Sequence, residues 1–314
     1  MKYDFFPGKI KILVIGDLML DHYIFGKVVR ISPEAPVPVV DVHHETDMLG
    51  GCGNVIQNLF NLGTSVSVLA AVCDDYNGGK ILDKLTKMGI ATNSIFHSSE
   101  FLTNYKMRIV ANNQHVVRAD WGNSILPQDI EKSISDSVNE LINEVNGIII
   151  SDYGKGVCTD NILKETISKA NNSNKPVFVD PKGTNWTKYS GATFITPNIK
   201  EASVMLNQPL RKNSDYEAAG LYLIDKYNIK NCLITRGSEG MSLINNSETF
   251  HIPTISKEVF DISGAGDTVI ACLAVAILNG VSVKEAVEFA NNAAGIVVGH
   301  VGTAAISREE LNKL

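Results

Sequence analysis

The sequence predicts an α/β fold in which a mainly parallel central sheet is flanked by helices on both faces. Short apolar, β-rich runs alternate with helical stretches along most of the 314 residues. Strands that are buried on both faces of a parallel sheet have this near-continuous apolar character. The predicted strands are Ile10–Gly16, Ser65–Val72, Gly147–Ser151, Pro176–Asp180, Thr193–Thr196 and Asn231–Thr235. The predicted helices include Gly53–Leu62, Gly79–Met88, Gln128–Asn143, Asp160–Asn171 and Asp215–Tyr227, and we expect one domain over residues 1–314.

Two segments depart from this alternation and predict a small β-sheet that projects from the main fold. Residues 23–47 contain the proline-punctuated stretch ISPEAPVPVVDVHHE, which has no helical pattern. Residues 105–120 have the pattern of a hairpin with Asn112 and Asn113 at its turn, because asparagine tolerates positive φ. We expect this sheet to be a lid over a site, a dimer surface, or both. The alternative is an insertion without a function.

Composition and charge argue against several classes of function. The net charge is −6 and no basic run is present, which disfavours nucleic-acid binding. No apolar run reaches membrane-spanning length, and the N-terminal sequence lacks the apolar core and cleavage site of a signal peptide. The five cysteines are dispersed, without C-x-x-C spacing, which fits buried thiols in a reducing cytoplasm. We therefore predict a cytoplasmic protein that binds neither nucleic acid nor membrane.

The stretch DISGAGDTVIA at residues 261–271 predicts an anion-binding helix N-terminus. Its GAGD core, Gly264, Ala265, Gly266 and Asp267, directly precedes an apolar helical run. The first N–H groups of a helix have no partner within it, and glycine allows a phosphate to approach the backbone closely. A carboxylate at this position would repel a bound anion. Asp267 therefore either touches an acceptor hydroxyl during phosphoryl transfer or only stabilises the first helical turn.

Polar residues follow several predicted strands at the edge where parallel strands end and ligands bind. Each of them alone could be a helix cap or a turn residue, but five such groups at one edge favour a site. They are Asp17 and Asp21; Ser151, Asp152 and Lys155; Asp180 and Lys182; Asn198 and Glu201; and Thr235, Arg236 and Gly237.

The nucleotide-binding motifs of two other folds are missing from the sequence. No G-x-x-x-x-G-K-[ST] is present, and no G-x-G-x-x-G follows a strand, which disfavours a P-loop protein and a Rossmann dehydrogenase. Four stretches instead resemble the PfkB/ribokinase family of sugar kinases: GGCGNVIQNL at residues 50–59, TPNIKE, TRGSEG and DISGAGD. Ile262 stands where the family often has threonine. The resemblance runs nearly end to end and implies a ribokinase-like fold.

The resemblance implies that ATP and Mg²⁺ are the cofactors and that a sugar hydroxyl is the acceptor. Asp267 is the expected base, ionised because it lies at a helix N-terminus, and the backbone of Gly264, Ala265 and Gly266 is expected to stabilise the transferring group. The expected nucleotide contacts are Thr235, Gly237, Gly240 and Asn291. Phosphates and water molecules near Asn198 and Glu201 are expected to hold Mg²⁺, with no direct protein ligand.

Three further stretches resemble a subfamily, the D-glycero-β-D-manno-heptose-7-phosphate 1-kinases. They are RISPEAPVPVV at residues 30–40, DPKG, and VGHVGTAAIS at residues 298–307. The resemblance implies transfer to the anomeric hydroxyl, in ADP-heptose biosynthesis for lipopolysaccharide core or surface polysaccharide. In many bacteria this kinase is half of a bifunctional protein, so we expect a stand-alone kinase or a kinase domain with a nucleotidyltransferase as partner. The alternatives are a kinase for a fructose phosphate, ribose or a nucleoside, or a non-catalytic binding protein.

A sugar phosphate needs acceptors for its hydroxyls and cations for its phosphate. We expect Asp17, Asp21 and Asn54 to bind the hydroxyls, with Gly50 and Gly51 allowing the backbone near the sugar ring. The expected phosphate-binding cations are Lys106, Arg108, Arg118, Lys155 and Lys182. The alternative for the hairpin cations is a solvated face paired with Asp120 or Glu45. Arg30 is expected to reach the site from the lid or from the partner subunit of a homodimer formed through the lid.

Overall fold

The computed structural model describes residues 10–112, 114–122, 125–254, 261–300 and 302–311. Two parts of the sequence predictions lie outside these residues. They are Asn113 of the predicted turn and residues 1–9, the start of the N-terminal sequence that lacks a signal peptide pattern. In chain order, the strands are β1 (Lys11–Gly16), β2 (Leu18–Ile31), β3 (Pro38–Gly51), β4 (Ser65–Cys73), β5 (Ile95–Ser98), β6 (Asn104–Ala111), β7 (Gln114–Trp121), β8 (Gly147–Ser151), β9 (Val177–Asp180), β10 (Phe194–Ile195), β11 (Asn231–Thr235), β12 (Met241–Asn245) and β13 (Thr249–Ile252).

The helices lie mainly between these strands. They are α1 (Cys52–Asn61), α2 (Tyr76–Lys87), α3 (Gln128–Leu141), α4 (Asp160–Asn172), α5 (Ile199–Leu206), α6 (Asn213–Tyr227), α7 (Ala265–Leu278), α8 (Val283–Val297) and α9 (Arg308–Leu311). Short 3₁₀ turns occupy Ile142–Glu144, Trp186–Tyr189 and Gly237–Glu239. Within the described residues, no helix combines the length and the apolar character needed to cross a membrane.

The large sheet confirms the predicted fold class. Its strand order is β13-β12-β11-β10-β9-β8-β1-β4-β5. The neighbours from β11 to β5 pair in parallel, and β12 and β13 add antiparallel strands at one edge. All six predicted strands are present, and β8 and β11 have the predicted bounds. β5, β12 and β13 were not predicted.

Both faces of the large sheet are covered, which explains the continuous apolar runs of its strands. Ile12 and Val14 of β1 pack in a core cluster that includes Leu273 of α7. Leu13 and Ile15, which point to the opposite face, pack in a second cluster with α3 and α4. Because the strands from β11 to β5 are parallel, their carboxyl ends lie at one edge of the sheet, where the polar residues that follow them meet.

The second sheet has the order β3-β2-β6-β7, with β2 and β6 parallel and the outer pairs antiparallel. A small second sheet was predicted, but its strands extend beyond the predicted segments 23–47 and 105–120, to residues 18–51 and 104–121. β2 begins at Leu18 because the buried run Leu18–Leu20 continues directly from the chain after β1. Asn112 has a φ of 53°, as expected for a residue at the hairpin turn.

Candidate active site

A cavity of about 780 Å³ opens where the parallel strands of the large sheet end. Its size suits a small-molecule ligand, and its position is the ligand-binding edge of an open α/β sheet. The walls of the cavity include Asp152, Tyr153, Asp180, Lys182, Asn198, Glu201, Thr235, Gly237, Gly240, Ala265, Gly266 and Asn291. The strand-end residues on this list were predicted to meet at this edge, and the structure brings them together.

Helix α7 presents its N-terminus to this cavity. Gly264 is the N-cap, with φ of 83°, and a β-carbon there would lie 2.5 Å from Asn54 Nδ2. Glycine is therefore required both by the left-handed backbone and by the close approach of Asn54. Ala265 and Gly266 line the cavity, although Ala265 N also donates to Ile262 O at 3.3 Å.

The carboxylate of Asp267 is buried in the first turn of α7 and is held on both oxygens. Asn54 Nδ2 donates to Oδ2 at 2.9 Å, and the Tyr153 hydroxyl donates to Oδ1 at 2.8 Å. The pKa of Asp267 is raised to about 7. Burial is the largest cause, and the negative charge of Asp21 acts in the same direction, whereas the hydrogen bonds from Asn54 and Tyr153 oppose the increase. The expectation that the helix N-terminus keeps Asp267 a weak, always ionised base is therefore wrong, since desolvation outweighs the helix dipole.

Asp17 orders the loop between β8 and α4. Its carboxylate accepts backbone hydrogen bonds from Tyr153 and Lys155 at 3.0 and 2.9 Å, and from Val157 at 2.9 Å. Burial, with the charge of Asp152, raises the pKa of Asp17 to about 6. The structure thus gives Asp17 a role in holding the loop through three N–H groups; its predicted contact with sugar hydroxyls stays a prediction.

A buried ion pair holds the other side of the same loop. Lys188 Nζ lies 2.5 Å from Asp152 Oδ2 and also donates to Cys158 O at 3.0 Å. The Tyr189 hydroxyl donates to the same Asp152 oxygen at 2.6 Å, while Asp152 Oδ1 accepts from Gly154 N. The Asp152 carboxylate therefore has hydrogen-bond donors on both oxygens. These contacts hold the loop that carries Tyr153.

Asp21 forms a second buried carboxylate site, on the small sheet. Arg108 Nη1 lies 2.6 Å from its Oδ1, and Thr303 Oγ1 donates to its Oδ2 at 2.8 Å. Arg108 is 7% exposed and also stacks on the Tyr23 ring. Arg108 therefore neutralises Asp21 inside the protein, and its predicted contact with a distal phosphate stays a prediction.

The glycines at the end of β3 bring that strand against both aspartates. A β-carbon on Gly50 would lie 2.3 Å from Asp21 Oδ2, and one on Gly51 would lie 2.3 Å from Asp17 O. Gly51 also has a φ of 58° and is the N-cap of α1. These glycines are therefore needed for packing; their predicted approach to a sugar ring stays a prediction.

The remaining hairpin cations differ in position. β2, β6 and β7 align Asp21 with Lys106, and Lys106 with Asp120, so that Lys106 faces the site. Lys106 Nζ lies 5.5 Å from the centre of the Tyr153 ring, and burial lowers the pKa of Lys106. Arg118 is exposed and pairs with Asp120 at 2.9 Å, which is the predicted alternative of a solvated face.

Two more residues that were predicted to bind the substrate lie elsewhere. Arg30 is exposed near the far end of β2, opposite Val39, so this chain does not bring it to Asp21 or Asp267. Lys182 Nζ donates to Glu201 Oε1 at 2.9 Å on the wall of the cavity. Lys182 is therefore placed with the predicted nucleotide and magnesium residues rather than with the hairpin cations.

Asn198 and Glu201 cap helix α5 and also line the cavity. Asn198 Oδ1 accepts from Glu201 N at 3.0 Å, and Glu201 Oε2 accepts from Asn198 N at 3.1 Å, a reciprocal capping box. Asn291 is buried and uses its Nδ2 to donate to Pro253 O at 2.8 Å. Thr235, Gly237 and Gly240 line the same wall. The structure thus brings all six predicted cofactor residues to one cavity.

A family model described as pfkB family carbohydrate kinase matches residues 9–310. The chain belongs to the PfkB family. It is therefore a phosphotransferase that acts on a sugar, as the sequence motifs implied.

Proteins named bifunctional protein HldE are relatives of this PfkB chain. It is 43% identical over 301 residues to the protein from Pelobacter propionicus, covering 95% of this chain and 62% of that protein. It is 42% identical over 302 residues to the one from Helicobacter pylori strain J99, covering 96% and 65%. The chain thus spans a little less than two thirds of these relatives.

Solved structures share the fold of this PfkB chain. Phosphofructokinase-2 from Escherichia coli, solved with substrates and products, superposes with a TM-score of 0.81 at 17% identity over 96% of this chain and 97% of that one. Ribokinase from Arabidopsis thaliana, solved with ribose and ATP, superposes with a TM-score of 0.75 at 18% identity over 97% and 98%. These likenesses establish the ribokinase-like fold.

Sequence reasoning gave no role to three residues of the site. Tyr153 lies in SDYGKG, between residues that were identified at the strand edge, and that position was the available signal. Thr303 lies in the VGHVGTAAIS stretch, which was identified for the subfamily, but its contact with Asp21, 282 residues away in the chain, follows from no local pattern. Asp180 was noted at the edge; burial, with the charges of Asp267 and Glu201, raises its pKa well above the ordinary range.

Gly264→Ala should lower the free energy of unfolding by about 1–2 kcal/mol, because alanine is strained at this φ. It should also lower turnover, because the added β-carbon displaces Asn54 from Asp267. Gly266→Ala is the matched control for stability alone, since its β-carbon would meet only Asp180 Oδ2, at 3.8 Å. Urea unfolding and ADP release measure both effects. Equal stability of the two variants would contradict the packing assigned to Gly264.

Proposed function

We propose that this PfkB-family chain transfers the γ-phosphoryl group of ATP to the anomeric hydroxyl of D-glycero-β-D-manno-heptose 7-phosphate. The product is the 1,7-bisphosphate, on the route to ADP-heptose for lipopolysaccharide core or surface polysaccharide. The chemistry is supported above all by the buried Asp267 carboxylate, held by Asn54 and Tyr153 beside a nucleotide-sized cavity. The choice of sugar is supported by the RISPEAPVPVV, DPKG and VGHVGTAAIS stretches and by the relatives named bifunctional protein HldE.

ATP would occupy the cavity with its phosphates towards the N-terminus of α7. The unpaired N–H groups and positive end of a helix favour phosphate, and Gly266 leaves room for it. The oxygen donors of Asn198 and Glu201 on the cavity wall fit Mg²⁺ held through water, because hard cations prefer oxygen ligands. When bound, Mg²⁺ would neutralise charge on the phosphates.

The transfer step needs alignment and one proton acceptor. The bond between the γ-phosphorus and the β–γ bridging oxygen breaks, and a bond forms between that phosphorus and the anomeric oxygen. The proton of the sugar hydroxyl passes to the Asp267 carboxylate, and ADP leaves with the bridging oxygen. The N–H groups at the start of α7 stabilise the charge on the transferring group.

The acceptor site is assembled around Asp21, Asn54 and Lys106. Three cations of the predicted set have carboxylate partners: Arg108 pairs with Asp21, Lys182 with Glu201 and Arg118 with Asp120. The two that are left for a sugar phosphate are Lys106 and Lys155. Within the described residues, neither of these two lysines takes part in an ion pair. We assign the substrate phosphate to them.

We further propose a cytoplasmic homodimer that forms through the small sheet, with a nucleotidyltransferase as functional partner. Apolar side chains on that sheet are exposed, among them Val29, Ile31, Val42 and Val117. Exposed apolar groups clustered on one element are typical of an association surface. The five cysteines are buried free thiols, which suits a reducing compartment.

Asp267→Asn should lower turnover by about 10²- to 10⁴-fold, the usual contribution of a general base, while ATP binding and folding persist. The amide can accept from Asn54 through its oxygen and donate to the Tyr153 oxygen, so both contacts remain possible. ADP release and ATP-binding calorimetry measure the two effects. Asp225→Asn, at an exposed position on α6, is the control. Wild-type turnover in Asp267→Asn would remove Asp267 from the role of base.

A panel of acceptors tests the assigned substrate, with ADP release as the readout. We expect the highest kcat/KM for the β-anomer of heptose 7-phosphate over its α-anomer, fructose 6-phosphate, ribose and adenosine. A higher value for one of the last three would replace the heptose assignment by that sugar or nucleoside. ADP release from none of them would contradict the kinase activity proposed for this site.

Val117→Lys should convert the dimer into a monomer, because it places a charge on the proposed association surface. Leu221→Lys on α6 is the matched control, since both side chains are 47% exposed. Light scattering after size exclusion should give twice the chain mass for the wild type and the control. A wild-type protein of single chain mass would contradict the homodimer.

A further inference from the structure

Tyr153 links three parts of the site. Its hydroxyl donates to Asp267 Oδ1 at 2.8 Å, and its backbone N–H donates to Asp17 Oδ2 at 3.0 Å. Lys106 Nζ lies 5.5 Å from the centre of its ring, which places the small sheet against the same side chain. One residue therefore contacts the proposed base, the end of β1 and a cation of β6.

The position of Tyr153 is fixed by its loop. Asp17 accepts three backbone N–H groups from the loop, and the buried pair of Asp152 and Lys188 holds the loop at the residue just before Tyr153. A side chain on so restrained a backbone can orient another group with little loss of freedom. The contact with Asp267 is thus built into the fold.

The two hydrogen bonds leave part of the Asp267 carboxylate free to accept a proton. Asn54 uses one lone pair of Asp267 Oδ2, and Tyr153 uses one of Oδ1. A carboxylate has about four acceptor positions, so one remains free on each oxygen. With both oxygens held, the carboxylate cannot rotate, and a free lone pair keeps a constant direction for the proton of the sugar hydroxyl.

Burial, hydrogen bonds and neighbouring charges together determine the pH range in which Asp267 is ionised. Its own burial is the largest influence and disfavours the charged form, while the two hydrogen bonds favour it. Burial and the charge of Asp267 raise the pKa of Tyr153 well above its ordinary value, so Tyr153 remains a donor. The titratable groups that face Asp267 are Asp21 of β2, Lys106 of β6, Asp180 of β9, Cys52 of α1 and Tyr153 of the loop.

We propose that Tyr153 is a positioning residue of the phosphoryl-transfer site, whose hydroxyl aligns the Asp267 carboxylate and favours its charged form. The inference rests on the proposed role of Asp267 as the base. Asn54 supplies the matching contact on the other oxygen, but only Tyr153 sits on the loop that also faces the cavity. Tyr153 itself neither gains nor loses a proton in the reaction.

Tyr153→Phe tests the proposal through the pH profile of kcat/KM for the sugar phosphate, which reports ionisations of the free enzyme. Without the hydroxyl, the charged form of Asp267 is less favoured, so the acidic limb should move to higher pH by about one unit. The variant should be about tenfold slower than the wild type at pH 6 and close to it at pH 9. Because the substrate phosphate titrates equally in both assays, the difference isolates the enzyme.

Tyr227→Phe is the matched control, because it removes the hydroxyl of a buried tyrosine on α6 that is not among the groups facing Asp267. Its acidic limb should stay at the wild-type pH. A uniform loss of rate for Tyr153→Phe, without movement of the limb, would overturn the proposal. If Tyr153→Phe does not fold, Tyr153→Met gives the same readout. Activity retained in Asp267→Asn would instead refute the proposed base, so the two failures are distinguishable.

Discussion

The site depends on one constraint: the Asp267 carboxylate is buried at the start of α7 and must be satisfied there. A buried carboxylate without partners would destabilise the protein or take up a proton. Asn54 and Tyr153 satisfy it from two directions, which requires α1, α7 and the loop after β8 to meet within hydrogen-bond distance. Gly264 makes this approach possible, since any side chain there would displace Asn54. The geometry of the loop, the glycines and the helix N-terminus follows from this requirement.

Several buried carboxylates share the site, and the protein balances each of them differently. Asp21 has a permanent guanidinium partner in Arg108, whereas Asp17 is held by backbone N–H groups. Among the described residues, the hydrogen-bond partner of Asp180 is Thr196 Oγ1 at 3.5 Å, and burial together with the charges of Asp267 and Glu201 raises the pKa of Asp180. Lys106 lies against the Tyr153 ring, towards the proposed acceptor, and Lys182, paired with Glu201, lies on the wall of the cavity. This distribution suits a reaction in which phosphate charge moves from one side to the other.

Local patterns predicted the elements and the edge of the sheet, but not the pairings across it. β8 and β11 had the predicted bounds because apolar runs with turn residues at both ends define such strands. The pair of Arg108 with Asp21 depends on the register of β2 against β6, between residues 87 positions apart, which no local pattern encodes. The pair of Lys182 with Glu201 was not predicted either, because β10 separates the two residues in the chain. Lys182 was therefore grouped with the cations expected to bind the sugar phosphate. The ionisation of Asp267 was misjudged because the helix position is visible in the sequence and the degree of burial is not.

The most direct test of this account is the ionisation of Asp267 in the free enzyme. Carboxyl-carbon NMR of protein labelled at aspartate, with Asp267→Asn used to assign the signal, follows this group alone through a pH titration. The account predicts a midpoint at about pH 7, because burial outweighs the two hydrogen bonds. A midpoint near the ordinary value of 3.8 would show a solvated carboxylate and would contradict the buried, doubly held base on which the site is built.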